Sequence, residues 1–241
     1  MSGHSKWSQI KRQKGVKDVK RSGVFSKLAK AIAVAARSGG NPDDNFKLRL
    51  TIEKAREANM PNENIERAIK RGTGESNEGT IDEVTYEGYG PGGAAFIIQT
   101  LTDNKNRTVS DIRRILSVHG GNIGNAGSVA WQFAQKGVVR ISRENLGAVD
   151  KSALELTLID AGAEDIHEQE EGITVVVPPH DMEKLKQAIG RQNIPLASSD
   201  IELVPTTLLE LNEAQKQQTL TMIEELEEHD DVDAVFTNAH V

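Results

Sequence analysis

The chain contains no cysteine. Disulfide bridges, thiolate metal sites and cysteine nucleophiles are excluded together, and the composition suits a reducing compartment. Aromatic residues make up 4% of the 241 positions, so the cores must be built from Leu, Ile, Val and Ala. Long apolar runs are missing as well. The longest near the start, residues 31–36, is too short for a membrane span and lies too far in for a signal-peptide core. These absences predict a cytoplasmic protein with no membrane partner. A local scarcity is more telling: the first thirty residues hold one acid, Asp18, against nine Lys or Arg.

That imbalance continues to residue 72, with 17 Lys or Arg against 7 Asp or Glu. The remainder carries 12 basic and 29 acidic residues, and the whole chain has a formal charge of −7. A cationic front and an anionic body make an electrostatic dipole, so a polyanion should approach from the amino-terminal side. At this length two or three compact units are expected.

Residues 1–21 read as an irregular or partly helical arm, with Trp7, Ile10 and Val16 as its few apolar anchors. Three helices follow. Residues 22–37 place Phe25, Leu28, Ala29, Ile32 and Ala36 on one face, with Lys27, Lys30 and Arg37 roughly opposite. Gly39-Gly40 stops that helix, Asn41 caps a second with Pro42 in its first turn, and a third runs from Met60-Pro61 to Gly72 behind Lys70 and Arg71. A Gly, Ser, Asn and Glu stretch at 73–80 reads as a linker. Beyond it the pattern alternates. Strands are predicted at 81–87, 94–102, 129–133, 138–142, 172–177, 201–209 and 234–238, and helices at 108–119, opened by a Thr108/Asp111 pair, and at 151–161, 182–190 and 211–229. The overall class is α+β: a three-helix bundle followed by two ferredoxin-like α/β units.

Four strings then stand out: SGHSKWSQIK near the start, ANMPNENIERAI at 58–69, YEGYGPGG at 86–93 and GSVAWQF at 127–133. Together, in this order along the whole chain, they resemble the YebC family. The resemblance implies three domains: 1–75, an arm and helical bundle; 80–128 plus 205–241, a discontinuous α/β domain; and 129–204, an α/β domain inserted into it. Members of the family are described as DNA-binding transcriptional regulators, and related proteins, among them a mitochondrial translational activator, act on messenger RNA or the ribosome.

The spacing of Lys6, Lys11, Arg12, Lys14, Lys17, Lys20, Arg21, Lys27 and Lys30 suits phosphates along a groove more than base edges. The alternative is a solvated face that aids solubility. Trp7 either stacks on an exposed base or anchors the arm on the bundle. Arg37, Lys70 and Arg71 extend the basic set, as do Lys105 and Arg107, which precede a helix amino terminus that either holds an anion or is occupied by capping chemistry. Gly88 to Gly93 lacks the Lys-Ser/Thr ending of a phosphate cradle and reads as a hairpin, and Gly121 to Gly124 reads as a helix stop. The six histidines show no metal-ligand spacing and no nucleophile elbow is present. No catalytic residue, metal or cofactor is therefore expected. The acidic run from Glu224 to Asp233 is read as a solvated face or a surface for a basic partner. The expected function is non-enzymatic nucleic-acid binding, with DNA as target, RNA or the ribosome as the alternative, and a ligand-sensing adaptor third. A protein partner at the acidic domains also fits.

Overall fold

The computed structural model describes residues 18–241 apart from Ala148, with side chains described from Gly23 onward. The chain opens with α1 (Asp18–Ala36), α2 (Phe46–Glu57) and α3 (Asn62–Thr73). Ile32, Ala35 and Ala36 of α1 meet Leu48, Ile52 and Ala55 of α2 and Ile65 and Ala68 of α3 in one aliphatic core. Small residues on α1 let the helices approach closely. Gly72 marks the tightest crossing: a Cβ there would lie 2.2 Å from the Ala33 carbonyl oxygen and 2.7 Å from the Ala36 Cβ. The predicted helix end at Gly72 is thus corrected. The helix runs one residue further and stops at Gly74, whose φ of 81° is left-handed. The start of α2 also moves, because Asn45 rather than Asn41 caps it. Its Oδ1 accepts from Leu48 N while its Nδ2 donates to the carbonyls of Ala35 and Gly39, which ties the cap to α1.

The first sheet comprises β1 (Asp82–Tyr89), β2 (Ala95–Thr102), β3 (Asn122–Ile123) and β9 (Val232–Thr237), all antiparallel, in the order β3-β1-β2-β9. Gly90 to Ala94 form the hairpin turn between β1 and β2. Two helices, α4 (Lys105–Val118) and α8 (Glu213–Glu228), cover one face. Phe96 and Ile98 alternate toward Ile112, Ile115, Leu116, Met222 and Leu226, the period of two that a half-covered strand requires. The intervening Ala95 and Ile97 are buried as well, beneath Val129, Phe133 and Phe236. Both faces of β2 are therefore dry, and its sequence reads as an apolar run rather than as alternation. This succession and strand order differ from the expected ferredoxin-like pattern. A hairpin comes first, β3 is only two residues long, and the sheet is completed by the chain's end.

The second sheet lies wholly between β3 and β9 in sequence. It contains β4 (Phe133–Ser142), β5 (Asp165–Gln169), β6 (Gly172–Val177) and β7 (Ser198–Pro205) in the order β5-β6-β4-β7. The short α5 (Arg143–Leu146) and then α6 (Lys151–Asp160) separate β4 from β5, and α7 (Met182–Arg191) separates β6 from β7. Here the β-α-β-β-α-β succession and strand order are those of the split β-α-β motif. Val139, Ile141, Ile173, Val175 and Val177 face Leu154, Leu158, Leu185 and Ile189 of the two long helices. On the other face Arg140, 2% exposed, pairs in a fork with Glu202 through bonds of 2.6 and 2.9 Å. A parallel two-residue pairing of β8 (Leu209–Glu210) with β10 (Ala239–His240) closes the molecule.

Candidate nucleic-acid interface

The side chain that organises the basic helix is an acid. Asp231, in the turn between α8 and β9, is 2% exposed. Its Oδ1 accepts from Lys30 Nζ at 2.5 Å, and its Oδ2 accepts from Arg107 at 2.9 Å and from the hydroxyls of Thr108 at 2.7 Å and Thr102 at 3.2 Å. Burial opposes the charge, but the bonds from Arg107, Lys30 and Thr108 overcome it and hold the carboxyl well below its usual range. Lys30 also donates to the Asp230 carbonyl, and Lys27 to the Glu227 carbonyl. Burial lowers the Lys27 ammonium's affinity for its proton, and nearby Glu227, Asp233 and Asp230 work against that shift. The acidic run thus meets a basic partner within its own chain: helix α1. Ala33 and Val34 of α1 add an apolar seam with Ile81 and Leu101.

Lys27, Lys30 and Arg107, assigned to phosphate from the sequence, are consequently engaged in internal bonds. The predicted Thr108/Asp111 opening of α4 is replaced by Asn104, whose side chain accepts from Arg107 N, while Thr108 turns inward to Asp231. Arg37 and Lys105 both lie beside Asp82, at 3.4 and 3.1 Å. Arg71 reaches Asp103, Glu78 and the Gly79 carbonyl. Lys70 is exposed and makes no ion pair among the described residues. Within the helical bundle two further exposed cations share that condition, Arg56 on α2 and Arg67 on α3. Sequence reasoning passed over both. Their signal was positional: each stands on the polar side of a bundle helix, and Arg67 lies one turn before Lys70 and Arg71. Arg67 and Arg71 border a shallow groove between α1 and α3, floored by Phe25, Ala29 and Met60. Lys6, Trp7, Lys11, Arg12, Lys14 and Lys17 lie outside the described residues, as do the side chains of Lys20 and Arg21.

At the far end of β1 a second constellation forms. The Glu87 carboxylate accepts three backbone N–H groups, from Gly127 at 2.6 Å, Val129 at 2.7 Å and Ala130 at 2.8 Å. Burial raises its pKa, but together these bonds outweigh that effect and leave a net downward shift. The Tyr89 hydroxyl donates to the Ser128 carbonyl, which also receives the indole N–H of Trp131. Expected as strand, residues 130–132 are instead a single 3₁₀ turn, and β4 begins at Phe133. Two of the strings singled out in the sequence therefore form one braced loop. Among the described residues, no group of three or more His, Asp or Glu is placed to hold a metal, and no helix is long and apolar enough to cross a membrane.

Comparison with known proteins covers both parts. The family described as "TACO1/YebC protein N-terminal domain" matches residues 5–75, and "TACO1/YebC second and third domain" matches residues 81–239. A relative from Syntrophus aciditrophicus is 47% identical over 240 residues, spanning 99% of this chain and 95% of its own. Another, from Natranaerobius thermophilus, is 44% identical over 239 residues, with 99% and 96% covered. Both bear the name "Probable transcriptional regulatory protein". The crystal structure of a conserved hypothetical protein from Aquifex aeolicus superposes with a TM-score of 0.81 at 38% identity, covering 92% of this chain and 91% of that one. With both family descriptions matched and relatives aligned over nearly its whole length, the chain belongs to the YebC family.

Proposed function

We propose that this protein is a non-enzymatic, DNA-binding transcriptional regulator whose basic amino-terminal region grips phosphates. The observation that carries this is the partition of charge, 17 basic against 7 acidic residues up to Gly72 and the reverse bias beyond. Lys6, Lys11, Arg12, Lys14, Lys17, Lys20 and Arg21 supply the main contacts, and the exposed Arg56, Arg67 and Lys70 continue the cationic surface over the bundle. Lys27 and Lys30 hold that surface on the acidic body instead, and Arg107 is taken up by Asp103 and Asp231. The working division is 1–75, 80–128 with 205–241, and 129–204. Names carried by the relatives support the regulatory role.

Duplex DNA titrated at several salt concentrations tests this. Affinity should fall with a log–log slope of roughly 0.9 per phosphate contacted, and reversing Lys11, Arg12 and Lys14 to Glu should abolish most binding. A flat salt response overturns the proposal. A translation factor bound to messenger RNA or the ribosome is the second reading, favoured by the exposed indole of Trp131, for which paired bases in a duplex offer no stacking face. Crosslinking in cells followed by sequencing of DNA and RNA separates the two.

A further inference from the structure

Trp131 is 74% exposed, more than any other large apolar side chain among the described residues. It stands at the end of the first sheet remote from the bundle. β1 begins at Asp82, beside Arg37 just past α1, and ends where Gly88 and Tyr89 pair with Ile123 and Asn122. The ring is displayed by a firmly held backbone. On its amino-terminal side, Glu87 fixes residues 127–130 and Val129 is fully buried against Phe133. On its carboxyl-terminal side, the Gln132 carbonyl accepts from the Thr206 N–H at 2.8 Å and its hydroxyl at 3.1 Å, while Gln132 Oε1 accepts from Asn238. The indole N–H already bonds to Ser128, so what the ring offers a partner is its π surface.

The surroundings select the kind of partner. Residues 120–135 contain no Lys, Arg, Asp or Glu, although 27% of the chain is charged. Exposed neighbours in the loop are Asn125, Ala126, Gly127 and Ala130, small or polar side chains. A protein-binding hot spot is ringed by packed apolar contacts, and this loop supplies none. A solitary aromatic plane among amides suits a planar, hydrogen-bonding ring. The carboxylate that adjoins the loop, Glu87, is taken up by three backbone N–H bonds. We propose that Trp131 is a stacking platform for an unpaired nucleobase, a second contact remote from the cationic bundle. This rests on the nucleic-acid-binding reading above and adds that part of the bound strand is unpaired.

The test uses the full chain carrying Trp7→Phe, which leaves Trp131 as the sole tryptophan. It is titrated with single-stranded RNA, single-stranded DNA of the same sequence, and the corresponding duplex. Binding of a single strand should quench the indole emission. Trp131→Ala should weaken single-strand affinity about tenfold, the factor expected for one lost stacking contact, with the salt slope unchanged, and Trp131→Phe should recover most of the loss. A response to RNA alone identifies an RNA strand as the source of the base, and a response to DNA alone identifies melted DNA. If the parent binds nucleic acid with a steep salt slope while Trp131→Ala binds equally well and no quenching occurs, stacking fails and the proposed function stands. If the protein with both tryptophans binds no nucleic acid even at low salt, both fail. Loss of a co-purifying protein on Trp131→Ala, with oligonucleotide binding intact, also overturns the proposal in favour of a protein contact. Unchanged thermal unfolding of both variants confirms that the fold is intact.

Discussion

Asp231 carries two cations and two hydroxyls on one buried carboxylate. Removing its charge leaves Lys30, only 12% exposed at its side chain, facing a neutral group. Asp231→Asn should therefore cost about 3–5 kcal/mol at neutral pH, the range for breaking a buried ion pair, read as a lowered denaturant midpoint. The pH dependence follows from the downward shift of this carboxyl. Its contribution is complete above its ordinary value of 3.8. It declines as the pH falls below that value toward the lower pKa of the folded state. Wild type and variant should thus differ at pH 7 and converge in acid. The spacing of Lys27 and Lys30 was visible in the sequence, but nothing local to them showed that a residue two hundred positions away would occupy them.

Helices and strands were legible where their periodicity answers to one covered face. β6 occupies its predicted residues, 172–177, and α6 and α7 lie within a residue of theirs. The misplaced boundaries have tertiary causes. Asn45 caps α2 because its amide also bonds α1, and α4 starts early because Asn104 caps it and Thr108 turns inward to Asp231. β7 was expected at 201–209 and is found at 198–205. There Glu202 is buried by pairing with Arg140, so a charged residue occupies a position that apolar patterning would leave to solvent. β5 was missed because DIHEQ is a polar edge strand with one neighbour. Gly72, read as a helix stop, is a helix crossing. Gly72→Ala would gain about 1 kcal/mol of helix propensity but would drive a methyl against the backbone of Ala33. The expected net is a loss of about 2 kcal/mol, measured by thermal or denaturant unfolding.

At the scale of the molecule, the charge dipole read from composition rests mainly on residues before Gly23, whose side chains lie outside the described ones. The sequence could not show that part of the dipole closes on itself through Asp231. Nor did it show that Trp131 stands exposed, since its string read as a strand and its exposure comes from Glu87, forty-odd residues earlier. The last element of the first sheet, β9, pairs with β2 across more than a hundred residues. Ending the chain after Glu228 should therefore destabilise α1 as well as the sheet, although no bundle residue is removed. Hydrogen exchange should show α1 losing protection in the shortened protein.

This arrangement also sets an order of events during synthesis. The carboxylate that engages Lys30 lies 201 positions after it in the chain. While those positions are being added, the nascent protein carries its cationic helix without that counter-charge. Its attraction for a polyanion is strongest before Asp231 is in place, and closure of β9 on β2 is the step that dampens it.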